Sequence, residues 1–159
     1  LPDPTSLSLS DLRSLRTSLQ NEEDAVSFVR RVAQGRLDVV HEEQRQRGTG
    51  GHAANEPQQM AAVFGQQQGG GSARPPRDTE IPADHARVAD LTELCDRLHF
   101  GDYKELTDEE LAVLESGLAA FEAAQSADRR ALFAHIDALS SELVNRYKSG
   151  GASVDSLLG

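Results

Sequence analysis

Tryptophan is missing from this chain, tyrosine occurs twice and phenylalanine five times. With aromatics this scarce and 38% of residues apolar, a thick globular core is out of reach. The narrow seam between paired helices needs no more than that. Cysteine occurs once, at Cys95, which excludes an intrachain disulfide framework and fits a reducing cytoplasm. No apolar run approaches the ~20 residues of a membrane span, and Leu1-Pro2-Asp3 opens the chain without a basic-then-apolar leader. A cytoplasmic location with no membrane attachment is expected. Basic residues are also few, 16 against 26 acidic ones, for a net charge of −10. That balance disfavours non-specific nucleic-acid binding, so no direct DNA contact is expected; it suits a basic protein partner.

Signals of catalysis are lacking too. His41, His52, His85, His99 and His135 are scattered, and none lies in an HExxH or Glu-x-x-His pattern. Gly69-Gly70-Gly71 has neither the lysine nor the flanking strand of a phosphate loop. Cys95 has no evident catalytic partner and reads as a small core residue. Neither an enzyme nor a metal site is expected.

What the chain does contain is a pattern that occurs twice. Glu23, Ser27, Arg30, Gln34 and Asp38 are followed, at a constant offset of 99 residues, by Glu122, Ser126, Arg129, Phe133 and Asp137. Four of the five residue types recur, the arginine is doubled each time (Arg30-Arg31, Arg129-Arg130), and an aliphatic residue precedes each aspartate. At about 100° per residue, steps of four and three keep each set on one helical face.

Apolar spacing places both sets on long helices. Leu12, Leu19, Val26, Ala33 and Val40 fall at seven-residue intervals, with Leu15 and Val29 between them and Leu37 beside the next position. Glu22 and Arg36 interrupt the seam. After a lead-in over residues 1–8, with Ser8 or Ser10 as the cap, a helix is predicted over 9–47. Residues 48–83 turn to Gly, Gln and Pro, the composition of a long disordered linker. Val88, Leu91, Leu94, Cys95 and Leu98 predict a short amphipathic helix and turn within 84–106, stopped by Gly101. Thr107 and Glu110 form a capping box for a second long helix over 107–148. Its seam is Leu111, Leu118, Gln125, Leu132 and Leu139, with Leu114, Phe121, Ile136 and Leu143 between. Gly150-Gly151 ends it, leaving a tail over 149–159.

Neither helix buries its seam alone. The predicted fold is therefore all-α: an antiparallel two-helix coiled-coil hairpin with a long disordered linker and one short additional helix. Phe28, Val32 and Val39 form a second apolar face that a hairpin does not require, a candidate partner-docking surface.

The chemistry of the repeated stripe favours a guanine nucleotide. Arginine donates two parallel hydrogen bonds to guanine O6 and N7. Aspartate accepts from guanine N1–H and the N2 amino group, which adenine does not offer. Serine and the neighbouring arginine serve phosphate. Glutamate either holds the arginine in position or accepts from the base.

The pattern Glu-x3-Ser-x2-Arg-x3-Gln-x3-Asp, with its surrounding Glu23–Arg31 and Ile136–Leu139 text, resembles the cyclic di-GMP signature of the RsiG anti-sigma factors of actinomycetes. The resemblance implies an anti-sigma factor, acting in transcription regulation and sporulation, that holds a WhiG/flagellar-class sigma factor when cyclic di-GMP is bound as a dimer. Carried over by position, the ligand residues are Glu23, Ser27, Arg30, Gln34, Asp38, Glu122, Ser126, Arg129 and Asp137. Phe133 stands where the pattern has glutamine; its ring could stack on a base instead. The competing reading is a nucleotide-independent coiled-coil adaptor.

Overall fold

A computed structural model of the chain describes residues 1–48 and 80–150. Among the described residues there are three α-helices: α1 (Leu9–Arg47), α2 (Ala86–Arg97) and α3 (Asp108–Lys148). Short 3₁₀ turns occupy Pro4–Ser6 and Phe100–Glu105, and there is no strand among the described residues. The expected linker lies almost wholly outside the described residues, as does the tail beyond Gly150.

Local chemistry sets the helix ends. Ser8 Oγ accepts from the Asp11 amide at 3.0 Å and opens α1. Thr107 and Glu110 exchange two hydrogen bonds, each of 3.2 Å, at the head of α3. Gly48 and Gly150, at φ of 74° and 72°, adopt the left-handed conformation that closes α1 and α3. One stop differs from the sequence reading. Helix α2 ends not at Gly101 but on His99, whose φ of 59° and ψ of 41° are left-handed. A side chain there costs roughly 1–2 kcal/mol. The apolar residues on both sides hold the bend, because Leu94, Leu98, Phe100 and Tyr103 all pack on one core.

The chain divides into two compact units. The first comprises Leu1–Phe28 and Ala123–Gly159. Here α1 and α3 run antiparallel: Leu12 packs with Leu139 and Leu143, while Arg13 meets Tyr147 at 3.1 Å. Leu7, Leu9, Leu15 and Leu19 flank that cluster. Val26 and Ile136 are fully buried as their seam positions require. Arg146 donates to the Pro4 and Thr5 carbonyls, tying the lead-in to the last turns of α3.

The second unit is Val29–Glu122, and its core has three helical contributors. Val29, Ala33 and Val40 of α1 and Leu111, Leu114 and Leu118 of α3 are buried together with Leu91 and Cys95 of α2. The antiparallel pairing holds here as well, with Gln34 bonded to Glu122, Gln44 to Glu115 and Arg47 to Asp108. Gly117 has a packing role: a Cβ there would meet Leu98 Cδ1 at 2.7 Å. Arg36, an interruption in the α1 seam, serves α2 and the turn after it. Its Nη1 donates to Cys95 Sγ at 3.0 Å and its guanidinium lies 5.3 Å from the Phe100 ring centroid. Arg47 donates to the carbonyls of Leu106 (2.7 Å) and Lys104 (2.9 Å), pinning the turn before α3.

Candidate functional site

In the first unit the motif residues form one connected set. Glu23 and Ser27 are a helical turn apart, and Ser27 Oγ donates to Glu23 Oε1 at 2.5 Å. Arg129 of α3 directs its Nε–H at both of them, 3.0 Å from Glu23 Oε1 and 2.9 Å from Ser27 Oγ. The Ser27 hydroxyl thus accepts from arginine and donates to glutamate, a directional chain. Ser27 is buried, and the Glu23 and Arg129 side chains are 15% and 20% exposed, so water screens this pair only in part. The guanidinium also covers the Phe133 ring, 4.7 Å from its centroid. Phe133, the departure from the repeated pattern, lies one turn after Arg129 and gives it a platform.

The second unit holds a related set with looser geometry. Arg30 Nη1 lies 3.6 Å from Glu122 Oε1, an ion pair beyond hydrogen-bond distance. Gln34 Nε2 donates to the same oxygen at 3.3 Å. Arg30 Nε is buried with no hydrogen-bond partner among the described residues. Leaving such a donor unmet costs about 1–3 kcal/mol. Asp38 is half-buried, and burial pushes its carboxyl above the usual carboxylate range, with His41 partly offsetting the shift.

The two sets share one rule. Each arginine meets the glutamate of the other motif copy, Arg129 with Glu23 and Arg30 with Glu122. The expected stripe is therefore no solvated face. Of its members only Asp137 is exposed; Glu23, Arg30, Gln34, Asp38, Glu122, Ser126 and Arg129 are half-buried. Ser126 and Asp137 belong to the first unit with Arg129, and each has partners of its own. Chemically, each set offers arginine N–H groups beside carboxylates and amide or hydroxyl donors. Those are the groups that read a base edge or hold a phosphate.

The expected docking residues divide. Phe28 and Val39 are exposed, at 37% and 38%. Val32 is instead half-buried against the second unit's core, because α2 widens the apolar stripe of α1 beyond a two-helix seam. Two further residues escaped the sequence reading. Arg16 Nε and Ser140 Oγ, both in the first unit, are buried without a hydrogen-bond partner among the described residues. The available signal was spacing: Arg16 lies seven residues before Glu23, and Ser140 three after Asp137. No described helix is long and apolar enough to cross a membrane, and no group of three metal-ligating side chains is gathered among the described residues.

Comparison with known proteins bears on the first half of this picture. No curated protein matches the chain. Residues 1–63 match the family model described as RsiG-like. The match takes in α1 and the entire first motif copy, while the arginine–glutamate exchange also draws on α3, beyond the matched residues. The family suggests an anti-sigma role and thereby a sigma-factor partner. Over residues 1–63, from the lead-in through the first copy of the repeated motif, this chain is similar to the RsiG-like family.

Proposed function

We propose that this protein is an anti-sigma factor that sequesters a WhiG/flagellar-class sigma factor in response to cyclic di-GMP, bound as a dimer by the two motif copies. The observation that carries the reading is the exchanged pairing: the same residue types, at the same spacing, set an arginine against a glutamate twice. A solvated surface duplicated by chance has no need of half-buried charges or of a buried, unpartnered Arg30 Nε. Arg30 and Arg129 take guanine O6 and N7, and Asp38 and Asp137 take N1–H and N2–H₂. Ser27, Ser126 and Gln34 supply the remaining hydrogen bonds.

The charge pattern supports the same reading. The chain carries a net charge of −10, complementary to a basic DNA-binding surface on a sigma factor. Each motif copy carries a doubled arginine, Arg30-Arg31 and Arg129-Arg130, the residue type that an anionic ligand requires. The dinucleotide neutralises those arginines and adds contact surface, so nucleotide and sigma factor favour each other's binding. Phe28 and Val39 provide the exposed apolar positions for the sigma factor.

Titration calorimetry with cyclic di-GMP, alone and with a WhiG-class sigma factor, tests the reading against cyclic di-AMP. The expected outcome is saturable binding of the guanine form only. An Arg30→Ala/Arg129→Ala variant should lose at least about a hundredfold in affinity, two arginine contacts each being worth roughly 1.5–3 kcal/mol. Sigma capture that proceeds without nucleotide and survives the double substitution would instead establish the adaptor.

A further inference from the structure

We infer that Gly35 is where a helix of the sigma factor comes closest to α1, and that its missing side chain serves that partner rather than the fold. The inference rests on the sigma-factor reading above and names the contact it uses.

Glycine inside a helix lowers stability relative to alanine, because the unfolded chain has more freedom to lose. The two glycines within the long helices of the second unit differ in what they gain for that cost. Gly117 has an internal reason, since a Cβ there would press Leu98 Cδ1 at 2.7 Å. Gly35 has none. It is exposed, its backbone is not left-handed, and a Cβ built on it would meet no atom of the described residues within 4 Å. The side chains one turn away, Arg31 and Val39, do not lean over it.

Val32, Gly35 and Val39 follow at steps of three and four and so share a face. Val32 is half-buried against the core and Val39 is 38% exposed, with the bare glycine between them. That is the spacing of a helix–helix seam, and a glycine at the crossing lets the two axes come to the short end of the roughly 8–10 Å range. Arg31 and Glu42, both exposed, lie along the seam with opposite charges, so shape rather than charge sets the fit.

Position names the occupant. Gly35 lies in sequence between Gln34 and Asp38, both assigned above to the nucleotide, yet about 100° round the helix from Gln34 and off the motif stripe. A helix crossing there meets the edge of the bound dinucleotide and the bare backbone of α1 together. Nucleotide-dependent capture of the sigma factor requires such a shared seat; a second copy of this chain would not need the dinucleotide.

The test is Gly35→Ala and Gly35→Leu in the full chain, followed by urea unfolding and by calorimetry. The titrants are cyclic di-GMP alone, then a WhiG-class sigma factor at saturating cyclic di-GMP. Gly35→Ala should raise the urea midpoint, because alanine favours the helix and meets nothing. Binding of cyclic di-GMP to the chain alone should be unchanged in both variants. Affinity for the sigma factor should fall about tenfold with alanine and about a hundredfold with leucine, the scale of overpacking a close contact. Unchanged sigma affinity in both variants would overturn the proposal. So would a parallel loss of nucleotide binding, which would put Gly35 in the nucleotide site. Self-association of the unaltered chain in sedimentation, abolished by Gly35→Leu with sigma binding intact, would give the face to a second copy and overturn it too. An unaltered chain that takes no sigma factor, with or without cyclic di-GMP, would overturn the functional reading itself, whatever the Gly35 variants do.

Discussion

One unit of this protein closes its core with two helices, the other with three. In the first, α1 and α3 meet along a narrow leucine seam, and the motif arginine is gripped by Glu23, Ser27 and Phe133. In the second, α2 adds Leu91 and Cys95 to the core, and the motif arginine is held at 3.6 Å with an unmet Nε–H. The same repeated residues thus sit in unlike surroundings. The unit with the three-helix core carries the more loosely held of the two motif arginines.

That contrast can be broken most directly in the cores. Leu114→Ala, at a fully buried position in the three-helix core, is expected to cost about 3–5 kcal/mol. Leu139→Ala, 3% exposed in the two-helix seam, should cost about 2–3 kcal/mol, because that site collapses more easily. Urea unfolding of each variant decides it, and the reverse order would refute the assignment of the stronger core to the second unit.

Gly117→Ala, on α3, probes the packing of α2 alone. The new Cβ would press Leu98 Cδ1 at 2.7 Å and Leu94 Cδ1 at 3.5 Å, while alanine favours the helix by about 1 kcal/mol. A net loss of about 1 kcal/mol is expected. Hydrogen exchange should show it as faster opening across α2, with the amides of Leu12–Phe28 unchanged. Smaller still, Thr107→Ala removes one half of the α3 capping box and should cost about 1 kcal/mol or less in the second unit.

The smallest effect sharpens the comparison by pH. Burial holds the Asp38 carboxyl above its ordinary range, so the folded chain binds that proton more readily than the unfolded chain. The group therefore favours the folded state at acid pH and loses that contribution as pH rises through its folded value. Asp38→Asn should give a slight gain in stability at neutral pH that disappears below the ordinary carboxylate range. If Asp38 also serves guanine, the same variant loses affinity while gaining stability. A parallel loss of both would show that Asp38 acts through the fold.

Much of the architecture was legible in the residues themselves. The first long helix was read as 9–47 and spans Leu9–Arg47. Capping signals at Ser8 and Thr107 act through the bonds they promised. The heptad positions Leu12, Val26, Ala33, Val40, Leu111, Leu118 and Leu139 are all buried. Harder to read were residues whose meaning lies across the chain. Arg36 looked like a flaw in a seam until Cys95 and Phe100 arrived beside it. Val32 looked like a free surface residue because nothing local announces where α2 packs.

The sequence alone determined the helices, their caps, the seams and the twofold recurrence of the motif, since each depends on residues a few positions apart and on the helical period. Only the tertiary structure decided that Arg129 turns to Glu23 within hydrogen-bond distance and that Arg30 turns to Glu122 at 3.6 Å. Periodicity says which residues share a face. The partner each charge finds depends on the register between chain segments about a hundred residues apart, and on whether a glutamine or a phenylalanine stands one turn further on.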